Sequence, residues 1–196
     1  MPHYFSEKQS SILNPKKISA TIRGKKFEFY TGSGVFSKSK IDKGTELLAN
    51  SMIVNNGSKV LDIGCGIGII GIIAVSLFRA DVLMIDINER ALHLSRLSLK
   101  LNNITTARVE KSNLYENVHE RFDAIIVNPP QKAGKKVCYE IIEKSFTYLK
   151  EEGTLQLVAR HSKGGKDLSN KMKEVFGNGR DIAKKSGYRV YLSVKA

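Results

Sequence analysis

The chain has 196 residues, of which 41% are hydrophobic, with 32 Lys and Arg against 19 Asp and Glu, a formal charge of +13. That length suits one domain with a full core, and no apolar run reaches the roughly 18 residues of a membrane span. Met1-Pro2-His3-Tyr4-Phe5-Ser6 lacks a charged segment followed by an apolar core, so no secretory signal is expected. The positive surplus favours a polyanionic partner, nucleic acid first, against the alternative of a solvated lysine-rich face. Cys65 and Cys138 are far apart and show no metal-ligand spacing, so a reduced cytoplasmic setting and no metal site are expected.

In chain order, residues 1–16 read as a polar arm. Residues 17–30 read as a hairpin, because Ile18, Ala20 and Ile22 alternate, Gly24-Lys25 turns, and Phe27 and Phe29 alternate on the return. Thr31-Gly32-Ser33-Gly34 is a loop, and 41–53 carries helical spacing at Leu47, Leu48 and Met52. Strands and helices then alternate. Strands are predicted at 59–63, 80–85, 107–110, 123–127 and 154–159. Helices are predicted at 68–78, 88–101, 135–149 and 166–176, with Asn88 as an N-cap and Glu151-Glu152-Gly153 ending the third. Two strands close the chain at 180–183 and 188–194. This order implies an α/β fold with a mostly parallel sheet, helices on both faces, and the last two strands paired antiparallel at one edge. One domain spans 1–196: arm, hairpin and helix over 1–54, and an α/β core over 55–196.

Asp62-Ile63-Gly64-Cys65-Gly66-Ile67-Gly68 joins the first core strand to its helix. Glycines there let the backbone turn sharply against a ligand, and the helix N-terminus behind offers free N–H groups. Asp86 closes the next strand, where a carboxylate can accept both hydroxyls of a ribose. Gly66-Ile67-Gly68-Ile69-Ile70-Gly71 is a literal dinucleotide fingerprint, but its register is late. Gly66 comes three residues after Ile63, and Gly71 falls inside the helix, where packing is its simplest role. An acid before the first glycine points instead to a cationic ligand: Asp62 could hold the ammonium of an amino-acid moiety.

Asn128-Pro129-Pro130 follows the apolar run 122–127. Proline cannot donate to a sheet ladder and keeps the preceding residue out of the helical region, so Asn128 belongs at a rigid strand exit. Such a triplet is either a plain strand-ending turn or a clamp that accepts hydrogen bonds from a planar amine and aims its nitrogen at an electrophile.

Together these stretches resemble the class I S-adenosylmethionine-dependent methyltransferases. The resemblance implies a Rossmann-like fold with a seven-stranded, mostly parallel sheet, an antiparallel last strand and an N-terminal β-hairpin extension. It implies S-adenosyl-L-methionine as cofactor, held by Asp62, Gly64, Cys65, Gly66, Gly68, Asp86, Ile87, Asn113, Leu114 and Thr45. Asn113 stands where the family usually has Asp beside the adenine amine. It assigns catalysis to Asn128, Pro129 and Pro130: the Asn128 side-chain oxygen and the Pro129 carbonyl accept the two amine hydrogens and turn the nitrogen lone pair toward the methyl group. No histidine is required, so His3, His93 and His119 read as surface or packing residues, with His161 the one that could touch substrate.

The finer resemblance is to the small-subunit (16S) ribosomal RNA guanine-N2 methyltransferases, in single-domain form. It rests on His3-Tyr4-Phe5-Ser6, Ser33-Gly34-Val35-Phe36-Ser37, Asp42-Lys43-Gly44-Thr45, Asn128 through Lys135, and Gly187-Tyr188-Arg189-Val190. It implies RNA as partner, with the ribosomal RNA or small subunit as its source. Gln131 stands where adenine enzymes carry an aromatic residue, which leaves Phe36 as a stacking candidate or a core plug. Lys132, Lys135, Arg160 and Lys163, with Lys136 and Lys166 nearby, form the expected phosphate grip. A protein-glutamine N-methyltransferase, a nicotinamide-dependent oxidoreductase and a non-catalytic RNA-binding module are the alternatives.

Overall fold

The computed structural model describes residues 13–35 and 40–196, the Lys132 side chain excepted. Phe36, the 3–6 stretch and the Lys132 side chain therefore lie outside the described residues.

The hairpin forms as expected: β1 (Lys16–Ile22) and β2 (Lys25–Thr31) pair antiparallel across a tight turn. Arg23 and Gly24 both hold positive φ, at 49° and 77°, the geometry that lets two strands twist back on each other. Phe27 and Phe29 bury one face of β2, so the hairpin is a cover for the core rather than a free ribbon. After it comes α1 (Lys43–Ser51), capped by Asp42, whose side chain accepts from the Gly44 and Thr45 N–H groups. Gln156, fully buried, ties the exit of α1 to the sheet: its Nε2 donates to the Ile53 carbonyl, and the Ile53 N–H donates back to its Oε1. A reciprocal buried pair of this kind satisfies both ends of the amide and fixes where α1 sits.

The core alternates as predicted: β3 (Lys59–Ile63), α2 (Ile69–Phe78), β4 (Asp81–Asp86), α3 (Glu89–Leu101), β5 (Arg108–Lys111), β6 (Phe122–Val127), α4 (Lys135–Tyr148), β7 (Leu149–Arg160), α5 (Lys166–Phe176), β8 (Arg180–Lys185) and β9 (Tyr188–Val194). The sheet order is β5-β4-β3-β6-β7-β9-β8, seven strands, with β9 antiparallel to both neighbours. The last strand thus inserts between β7 and β8 and leaves β8 at the edge.

Side-chain alternation sorts the two faces. Val60, Val82, Met84, Ala124 and Ile126 pack with α1, α2 and α3, while Leu61, Ile63, Leu83, Ile85, Ile125 and Val127 pack with α4 and α5. Each fully buried Leu or Ile contributes about 1.5–3 kcal/mol, against ~0–1 kcal/mol for an exposed ion pair. The sheet therefore holds the fold, and pairs such as Lys144–Glu140 decorate it.

One boundary differs from expectation. The helix over 135–149 stops at Tyr148, and Leu149 already pairs with Phe122 as the start of β7. Glu151-Glu152-Gly153 does not end a helix; it is an irregular step inside the strand, with Glu152 at φ 61°. A Cβ on Gly153 would sit 2.7 Å from the Lys150 carbonyl, so the step requires glycine there. The connection after β7 is a kinked turn over residues 161–165, with Lys163 (φ −117°, ψ 48°) and Gly164 (φ 92°, ψ −7°) outside helical geometry, and it leads directly into α5.

Candidate active site

The parallel strands β3, β4 and β6 end side by side, and the chain leaves β3 and β6 in different directions. This is the switch point at which open α/β sheets bind ligands. A cavity of about 240 Å³ opens there. The strand-end loops bring Thr45, Asp62, Gly64, Cys65, Gly66, Asp86, Ile87, Asn113, Leu114, Asn128, Pro129 and Pro130 to its wall. Gly68 serves from behind, as the residue before α2, at φ 86°.

The glycine loop is held tightly. Gly64, Gly66 and Gly68 all take positive φ. The Gly66 N–H donates to Asp86 Oδ2 (2.9 Å), and the Gly66 carbonyl accepts from Ser95 Oγ (2.8 Å). Asp86 also accepts from the Asn88 N–H on Oδ1 (2.9 Å). Asn88, 1% exposed, caps α3 through Oδ1 and donates from Nδ2 to the Gly34 carbonyl. Burial raises the Asp86 carboxyl above its usual range, with the Asn88, Gly66 and Ile87 N–H groups pulling the other way. Burial likewise pushes the Cys65 thiol well up, so it stays protonated and is no nucleophile.

Asp62 is the most perturbed acid of the cavity. It is 3% exposed, and its Oδ2 accepts from the Gly71 N–H at 3.0 Å. Loss of water, opposed by that N–H and reinforced by nearby Asp86, raises its pKa to about 7. No cation pairs with it among the described residues. Such a carboxylate is suited to receive a ligand ammonium. Packing explains Gly71's place in the helix: a Cβ there would run into the Met84 side chain, so glycine lets α2 lie on β4 without displacing it.

Across the cavity, Asn128 donates from Nδ2 to Thr45 Oγ1 (2.9 Å) and toward Asp42 Oδ2 (3.4 Å). Its Oδ1 makes no hydrogen bond among the described residues. Pro130 (φ −74°, ψ 73°) forms an inverse γ-turn. The Pro129 carbonyl accepts from the Gln131 N–H at 2.8 Å, which leaves one of its two lone pairs for another donor.

The expected phosphate-binding residues lie outside the cavity wall. Gln131 donates from Nε2 to the Lys163 carbonyl (3.0 Å), joining the loop after β6 to the turn after β7. Lys135 is engaged by Asp167 (3.0 Å) and lies over the Tyr139 ring. Arg160 stacks on Tyr188. His161 Nδ1 lies 2.9 Å from Tyr191 Oη. Asp42, beside Asn128, and Tyr188, beside Asp42, lie in two of the stretches that carry the family resemblance but have no role of their own in the sequence; the fold brings them together.

A protein-family model, the methyltransferase small domain, matches residues 26–192. The chain belongs to that family. A Bacillus subtilis protein, the uncharacterized protein YbxB, is 40% identical over 98% of both chains. Ribosomal RNA small subunit methyltransferase C of Hamiltonella defensa is 32% identical over 96% of this chain and 56% of its own. The chain thus spans about half the length of the relatives that carry that name. Among solved structures, the Thermus thermophilus 16S rRNA N2 G1207 methyltransferase RsmC, in complex with AdoMet and guanosine, superposes with a TM-score of 0.82 at 24% identity, over 95% of this chain and 52% of that one. The two chains share the α/β fold over that span. Among the described residues no helix is long and apolar enough to cross a membrane.

Proposed function

We propose that this methyltransferase uses S-adenosyl-L-methionine to methylate the exocyclic N2 amine of a guanine in small-subunit ribosomal RNA. The observation that carries the reading is the Asn128 carboxamide. Its nitrogen is held by Thr45, its oxygen accepts no hydrogen bond among the described residues, and it stands across one cavity from Asp62 and Asp86.

The cofactor supplies an electrophilic methyl group on a sulfonium. The residues present fit its other parts: Asp62 suits the ammonium, Asp86 the ribose hydroxyls, and the turn at Asn113 and Leu114 the adenine. The chain's own contribution is positioning and electrostatics. Asn128 Oδ1 and the free lone pair of the Pro129 carbonyl accept the two hydrogens of the target amine. That aligns the nitrogen lone pair for in-line attack, and the proton it sheds leaves to water. No covalent bond to the protein forms.

The match to relatives named for ribosomal RNA, together with the charge of +13, supports RNA over a protein amide. A groove beside the site, bounded by His161, Ser162, Lys184, Lys185, Ser186 and Tyr188, suits the RNA backbone. Lys184 and Lys185 have no acidic partner among the described residues, in contrast to Lys135.

Incubation with methyl-labelled cofactor and small subunits from cells lacking the gene tests the reading. Label released by ribonuclease and recovered as N2-methylguanosine is the expected result. Label released only by protease, or recovered on adenine, contradicts it.

A further inference from the structure

We propose that Asp42 and Thr45 are positioning residues that decide which end of the Asn128 carboxamide faces the acceptor amine. The inference rests on the catalytic reading of Asn128 given above. A carboxamide has two ends of nearly the same size and opposite hydrogen-bonding character. Only the oxygen end can accept an amine hydrogen; the nitrogen end would set donor against donor. The strand exit after β6 fixes where the side chain is, but not which end points outward.

Thr45 Oγ1 holds Nδ2 at 2.9 Å. A hydroxyl alone cannot choose, because it donates as readily as it accepts. Asp42 can. Its carboxylate only accepts, and its Oδ2 lies 3.4 Å from the same nitrogen. At that separation the attraction works chiefly through charge, and an oxygen turned toward it would be repelled. The NH2 end is thus kept inward and Oδ1 outward. The nearby negative charge also polarises the amide, which makes Oδ1 a stronger acceptor.

Asp42 is itself fixed without help from Asn128. The same Oδ2 caps α1 through Gly44 (2.9 Å) and Thr45 (3.2 Å). Its Oδ1 lies 3.5 Å from the Tyr188 hydroxyl. A Cβ on Gly44 would meet the Tyr188 ring at 2.9 Å, so glycine is what lets β9 approach this close. The device joins the start of α1, the end of β6 and the start of β9.

Single-turnover methyl transfer at saturating S-adenosylmethionine and RNA tests it, with Asp42→Asn, Thr45→Val and Thr45→Ser made alone and in an Asn128→Ala background. Asparagine keeps the helix cap but can offer either end to Asn128. At saturating cofactor, Asp42→Asn and Thr45→Val should each slow transfer about tenfold or more, with melting temperature near wild-type in both and S-adenosylhomocysteine affinity near wild-type in Asp42→Asn. Thr45→Ser should restore most of the rate lost in Thr45→Val. In the Asn128→Ala background neither substitution should cost more. Wild-type rates in both variants, losses that multiply on top of Asn128→Ala, or an effect confined to cofactor affinity would overturn the inference. A wild-type enzyme that methylates no RNA overturns instead the reading beneath it, as does a fully active Asn128→Ala.

Discussion

Asp62 shows what a single residue contributes and what it should do in solution. Its carboxyl is raised to about 7 chiefly by burial. Between about pH 4, the unfolded value, and pH 7 the folded state holds the extra proton. Stability without ligand should therefore fall as pH rises through that window. A ligand ammonium favours the charged carboxylate, so binding should release a proton and strengthen as pH rises toward 7. Calorimetric titration of S-adenosylhomocysteine from pH 5.5 to 7.5 in buffers of different ionisation heat checks this. Wild-type affinity should increase with proton release, and Asp62→Asn should bind more weakly and lose that dependence. A flat wild-type profile contradicts the role given to Asp62. Its place was legible in the sequence because an acid at a strand end before a glycine loop has few other uses. The role of Asp42 was not: its stretch carried the family resemblance, but it meets Asn128 across 86 positions and Tyr188 across 146, contacts that only the fold makes.

Elements were legible where period and punctuation agreed. The strands β3 and β6 are short apolar runs closed by Gly and by Pro, β4 is one closed by Asp86 just before a helix cap, and α3 carries both an apolar stripe and its Asn88 cap. The start of β7 was hidden because Glu151-Glu152-Gly153 has the composition of a turn, while its pairing with Phe122 is decided across the sheet. The β8–β9 hairpin also lines the groove proposed for RNA. Ser186 and Gly187 turn with φ of 51° and 80°, and the Gly187 carbonyl accepts from the His161 N–H at 2.9 Å. That bond sets Lys184 and Lys185 along the groove wall. Reversing both charges (Lys184→Glu with Lys185→Glu) should weaken RNA binding and lower its salt dependence by roughly one ion per lost phosphate contact, while cofactor affinity holds. Unchanged RNA binding across a salt series would remove the groove from the RNA path.

At the scale of the molecule, the two halves of the site arrive from different directions. In the proposed reading β3 and β4 of the α/β core supply the cofactor side, and α1, whose exit is tied to β7 by Gln156, brings Asp42 and Thr45 to Asn128. The positive surplus was visible in composition; where it is neutralised and where it is free required the fold. The central claim is that Asn128 presents its oxygen to a guanine amine. Its most direct test is the single-turnover rate of Asn128→Ala on small-subunit RNA with cofactor and RNA both bound. Transfer to N2 of guanine should fall by about a hundredfold or more, with both affinities near wild-type. Transfer near the wild-type rate would contradict the account.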